Sequence, residues 1–285
     1  MEDFDKLWNY SDTASTEIKF KEVLNQSADK PLVYRQQLKT QIARTYSLRA
    51  MFNEAHELLD TVEKELHEEP SLAGVRYHLE RGRTFNSSGK KAEAKIHFEQ
   101  AQKIAEVLNE DYYTIDAMHM LAIVAPHDEA ILIQQQALIK TEESTNLSAK
   151  KWLGPLYNNL GWSYFDLGEY EKALSIFLRS LQWRESQKSA PEIIISKWCV
   201  ARTLRALNKI DDAIKVQLAL FEETTTTGNP DGYVHEELGE LFLLKNDQLK
   251  YPFHFEKAYE LLSTDNYLAK NEAARLERMK TLAGI

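Results

Sequence analysis

The sequence predicts an all-α chain, an α-solenoid of about six stacked helix pairs, and three observations carry that expectation. Glycine and proline are scarce, 10 and 7 in 285 residues, and they fall as punctuation at Pro31, Pro70, Gly89, Pro126, Gly168, Pro191 and the Gly228–Gly232 turn. Between those points apolar residues recur three and four apart, as at Ile42/Tyr46 and Ala55/Leu58/Leu59/Val62, and no run alternates as a strand would. A two-part spacing also repeats: Tyr157, Leu160, Gly161, Tyr164, Gly168, Ala173 and Phe177 form one copy, and Gly82, Phe85, Gly89, Ala94, Phe98 and Ala101 another. In both copies the second glycine follows the first by seven residues and the A-x3-F begins five further on, the mark of a helical-repeat array.

Taken in order, Asp12 can N-cap a first helix, and residues 12–30 are assigned as an N-terminal cap. Six helix pairs then fill 33–263. Their second helices carry Ala55, Ala94, Ala130, Ala173, Ala213 and Tyr251, at intervals of 36 to 43 residues. Four residues after each come Leu59, Phe98, Gln134, Phe177, Gln217 and Phe255. A small residue lets neighbouring helices approach and the larger one fills the gap beside it. The third pair, 110–145, is the weakest: its loop is short, Pro126 ends its first helix early, and Gln134 stands where an aromatic is expected. Residues 266–282 form an amphipathic helix through Leu268, Ala269, Ala273, Leu276 and Met279 that can close the end of the core. With no Ser/Gly linker, 1–285 reads as one domain.

These residues resemble the tetratricopeptide repeat over about 33–263, most closely around 154–187 and 75–109. The longer repeat period is similar to that of the bacterial peptide-sensing regulators and motor light chains of this superfamily. The resemblance implies a right-handed superhelix whose first helices line a concave groove, and protein or peptide binding as its activity.

Composition is that of an ordinary globular protein, with 43% apolar and 28% charged residues. A net charge of -9 argues against binding nucleic acid or anionic membrane over the whole surface. Cys199 stands alone, so no disulfide framework forms, and its apolar neighbours make it an inert core residue. The acidic start lacks a signal sequence and no run reaches bilayer length, so the expected location is cytoplasmic.

Catalytic signatures fail one by one. No two of the eight histidines lie three to five apart, which removes local zinc pairs and assigns them to surface or groove. Gly82 to Gly89-Lys90 is too long for a phosphate loop, and Lys91 stands where a magnesium-binding hydroxyl is needed. No nucleophile elbow exists, and the adjacent carboxylates point about 100° apart on a helix. The expectation is no enzyme, no cofactor and no metal.

What is left is the groove. Reading positions around the packing residues Ala43, Gly82, Ala122, Gly161, Ala201 and Gly239 collects Arg44, Arg76, Arg83, Asn86, His119, Asn158, Trp162, Trp198, Arg202 and Arg205, with Glu236 and Glu240 at the C-terminal end. Arginine forks match carboxylates, tryptophan anchors apolar groups and an asparagine amide can clamp a peptide backbone. The set points to an interaction module or scaffold for an acidic peptide segment or a free carboxylate, docked between Arg83 and Arg202/Arg205. The opposing account has these arginines paired with acids on neighbouring helices. A regulatory sensor of a small signalling peptide is the alternative, RNA binding through the Arg/Trp face ranks lower, and a homo-oligomer stays open.

Overall fold

The computed structural model describes residues 2–285, which form two compact units, one up to Leu156 and one from Tyr157 to Ile285. Every regular element among them is helical.

In the first unit a 3-10 turn, Asp3–Leu7, precedes α1 (Thr13–Asn25), so α1 covers only part of the 12–30 expectation. Its N-cap is Asp12, whose side chain accepts from the Ser15 amide at 3.0 Å. Three pairs follow: α2 (Leu32–Leu48) with α3 (Phe52–Glu65), α4 (Leu72–Ser87) with α5 (Lys91–Val107), and α6 (Asp111–Val124) with α7 (His127–Glu143). A single turn, α8 (Leu147–Lys150), capped by Asn146, comes after them and was not foreseen. Phe4 joins Phe20, Tyr34, Leu38 and Ile42 in the apolar cluster at the start of this unit.

The second unit holds most of α9 (Leu153–Asp166), then α10 (Tyr170–Gln187), α11 (Ala190–Ala206) with α12 (Ile210–Thr226), and α13 (Gly232–Leu244) with α14 (Lys250–Leu262). The closing segment is two helices rather than the one expected over 266–282. α15 (Asn266–Asn271) and α16 (Ala273–Ala283) meet at Glu272, whose φ of -129° and ψ of 32° interrupt the helical path. Leu268, Leu276 and Met279 are buried with Phe255 and Ala258, as a cap requires.

The repeat spacing has a direct physical cause. A Cβ on Gly82 would stand 2.5 Å from the Phe98 ring, and one on Gly161 2.5 Å from the Phe177 ring, so only glycine permits these helices to meet. Within four pairs the turn passes through the left-handed region at Ala50, Gly89, Asn208 and Asn246, and Gly168 does the same after α9. The third pair differs: α6 and α7 are joined through extended Ala125 and Pro126, which explains its shortened connection.

Candidate functional site

In the first unit the face built by α2, α4 and α6 is a set of closed ion pairs. Arg44 Nη1 donates to Glu80 at 3.2 Å and its guanidinium lies over Trp8 and Tyr10. Arg83 donates to Glu80 at 2.6 Å and also to Asp116. Burial works against its charged form, yet Asp116 and Glu80 outweigh that and the pKa is raised. Arg76 donates to both oxygens of Asp5, at 2.8 and 2.6 Å, and through Nε to the Tyr113 hydroxyl at 2.9 Å. The small cavity here, about 140 Å³, is therefore bordered by arginines that already hold carboxylates. Asn86 is half-buried. His119 lies against Trp152 with ring centroids 5.0 Å apart and planes tilted by 43°, and burial lowers its pKa.

The second unit treats its charges in the same way, with one exception. Arg205 clasps Glu237 through Nε and Nη2, at 2.6 and 3.0 Å. Glu236 accepts from Arg275 at 2.7 Å and Glu240 from Arg278 at 3.0 Å. Both arginines stand on α16, so the two carboxylates expected to orient a ligand are covered by the C-terminal helix. The sequence reading missed Glu237, Arg275 and Arg278, although Glu237 lies two residues before Gly239 just as Glu80 lies two before Gly82.

Arg202 is the exception. Its guanidinium sits 5.8 Å from the Trp162 and Phe165 ring centroids and 5.3 Å from Trp198, half-buried among them. No carboxylate among the described residues pairs with it, and its buried Nε donates to nothing. Arg44 stands one residue after Ala43 and takes the glutamate two residues before the next packing glycine. Arg202 stands one residue after Ala201, but the corresponding Glu237 already belongs to Arg205. Trp198 is held in place by its Nε1–H, which donates to the Tyr233 carbonyl at 3.1 Å. Asn158 is half-buried, with its amide 3.4 Å from the Asn159 side-chain oxygen. An open cavity of about 330 Å³ is bordered by Arg202, Arg205, Glu236 and Arg275.

The histidines correct the sequence reading. His78 and His97 approach at 3.0 Å between their Nδ1 atoms and His235 and His254 at 3.1 Å, the second pair buried rather than at the surface. Each pair links the two helices of one repeat, a spacing of 19 residues invisible to a search along one helix. Among the described residues no three His, Cys, Asp or Glu side chains gather as a metal cage. Cys199 is buried, and its thiol pKa is pushed up to about 12 by burial.

The model of the tetratricopeptide repeat family matches residues 75–107 and 154–187. Those stretches lie on α4–α5 and α9–α10, where glycine faces phenylalanine. The chain carries tetratricopeptide repeats. Its solved structural neighbours agree on the fold. The apo form of RapI superposes with a TM-score of 0.79 at 14% identity, covering 99% of this chain and 81% of that one. The C-terminal part of a tetratricopeptide-repeat-containing protein from Cytophaga hutchinsonii gives 0.60 at 16% identity, covering 92% and 98%. The apo quorum sensor NprR from B. thuringiensis gives 0.51 at 14%, covering 95% and 81%. No curated protein sequence matches. No described helix of this tetratricopeptide-repeat chain is long and apolar enough to cross a membrane.

Proposed function

We propose that this tetratricopeptide-repeat chain is a non-enzymatic interaction module that binds a peptide segment through a carboxylate received by Arg202. The observation that carries the reading is the guanidinium held by three aromatic rings with no acceptor of its own. Aromatic faces fix the plane of the fork and leave its N–H edges for a ligand, the geometry in which arginine outperforms lysine. The other four arginines singled out in the sequence already hold Asp5, Glu80, Asp116 or Glu237, so their first duty is to the fold.

The test is titration of an acidic peptide library against the native protein and Arg202→Ala. A hydrogen-bonded charge contact contributes about 1.5–3 kcal/mol, so affinity should fall roughly tenfold or more. Binding should also weaken as salt rises. Equal affinity in the two proteins rejects the assignment.

A further inference from the structure

The first unit already contains an acidic, aromatic peptide in place, because the chain supplies one itself. Residues 2–7 read Glu-Asp-Phe-Asp-Lys-Leu. Asp5 takes two hydrogen bonds from Arg76, and Gln37 Nε2 donates to Glu2 at 3.1 Å. Phe4 is buried edge-on against Tyr34 at 5.1 Å, and the Arg76 guanidinium lies 5.4 Å over its ring. One arginine thus meets an aromatic ring with its face and a carboxylate with its edge. Gln37 and Arg76 stand six residues before Ala43 and Gly82, the packing residues of their helices.

The same positions in the second unit are apolar. Ile195 and Tyr233 stand six residues before Ala201 and Gly239, and with Ile194 and Trp198 they border a slot of about 200 Å³. Ile195 is 53% and Tyr233 37% exposed. Trp198 forms the wall shared with the arginine, with Arg202 at 5.3 Å and Tyr233 at 6.1 Å from its ring. Asp231 also borders the slot, its carboxylate accepting from the Tyr233 amide at 2.8 Å.

We infer that the second unit binds an extended peptide carrying an apolar, preferably aromatic, side chain about three residues from a carboxylate, the apolar group in the Ile195/Tyr233 slot and the carboxylate on Arg202. The inference rests on the proposed peptide-binding reading and adds the ligand's second determinant and its direction. Ile195 and Arg202 are seven residues apart on α11, roughly 10 Å at 1.5 Å per residue, which an extended chain spans in about three residues. The charge pattern fixes the direction. A carboxylate is repelled at the slot that Asp231 borders and attracted at Arg202, where the neighbouring glutamates are each held by an arginine.

The experiment uses labelled synthetic peptides with the core Phe-Ser-Ser-Asp between serine flanks, a Phe→Ala version, and an Asp→Asn version. Anisotropy titrations compare native protein, Arg202→Ala and Ile195→Glu, with thermal unfolding as a folding control. The expected result is binding of the parent peptide, weakened about tenfold by Phe→Ala or by Ile195→Glu, and about tenfold by Asp→Asn or by Arg202→Ala. Parent and Phe→Ala peptides binding equally, with Arg202→Ala still weakening both, overturns the apolar determinant and leaves the acidic-peptide reading standing. No binding, or binding indifferent to Arg202→Ala, overturns both. Concentration-dependent dimerisation of native protein that Arg202→Ala abolishes would assign the surface to a second copy and overturn the peptide assignment.

Discussion

Arg83 and Arg202 hold equivalent places in their repeats, one residue after Gly82 and Ala201, yet they should behave as different kinds of residue. Removing Arg83 strands the buried Asp116 without a counter-charge and leaves the buried Glu80 with Arg44 alone. Arg83→Ala should therefore cost about 3 kcal/mol or more and lower the thermal midpoint clearly. Arg202→Ala leaves no acid behind and should change stability by about 1 kcal/mol or less, which paired melting curves would check. Cys199 should resist a thiol reagent in the folded protein, since its thiolate is disfavoured by burial, and react when denaturant is added. Rapid labelling of the native chain would contradict that. The packing residues Gly82, Gly161 and Ala173 were legible in the sequence because sterics act through local spacing. The partners of the arginines were not, because Asp5, Asp116 and Glu237 arrive from other parts of the chain, at separations of 71, 33 and 32 residues.

At the scale of the helix pair, two histidine contacts recur at matching positions, His78 with His97 and His235 with His254. Burial lowers His78 and His254 to about 4, with the partner histidine adding to the effect. The folded chain therefore binds fewer protons than the unfolded chain once pH drops below about 6.5. Their contribution is fully present above that value and is lost as pH falls toward 4. Denaturant midpoints should decline over that window, and His254→Phe, which cannot take up the proton, should flatten the decline; an unchanged slope would refute the linkage. The close glycine contacts give a second test at this scale. Gly161→Ala places a methyl 2.5 Å from the Phe177 ring, whereas Gly239→Ala meets Phe255 at 3.0 Å. The first should destabilise by roughly 1–3 kcal/mol and the second by less, because both gain alanine's better helix propensity but the second sets it against a milder clash. Equal unfolding midpoints for the two variants would argue against this packing. Six helix pairs could be read from the period, but α8 and the break at Glu272 could not, since neither repeats.

For the molecule as a whole, a surplus of acid coexists with groove arginines that, Arg202 apart, are neutralised in place, so net charge alone gave little guidance to the site. The third pair is where the chain departs most from its own pattern. Pro126 supplies no amide hydrogen, and the α6–α7 connection lacks the left-handed turn residue found in its neighbours. Amide exchange should be faster across 115–135 than across 157–180, as measured by mass spectrometry. The reverse order would remove the third pair as the weak point.

The link between Asp5 and Arg76 has a consequence for how the protein is made. The two residues are 71 apart in sequence, and at about 5–20 residues per second of synthesis, Asp5 waits on the order of 4–14 s for its counter-ion. Throughout that interval the N-terminal segment has the burial of Phe4 and the hydrogen bonds from Tyr34 and Gln37 to hold it, but not the ion pair. Final closure of this end of the chain is thus timed by translation of α4, and a ribosome stalled before residue 76 should present an N-terminus open to proteases that the finished protein shields.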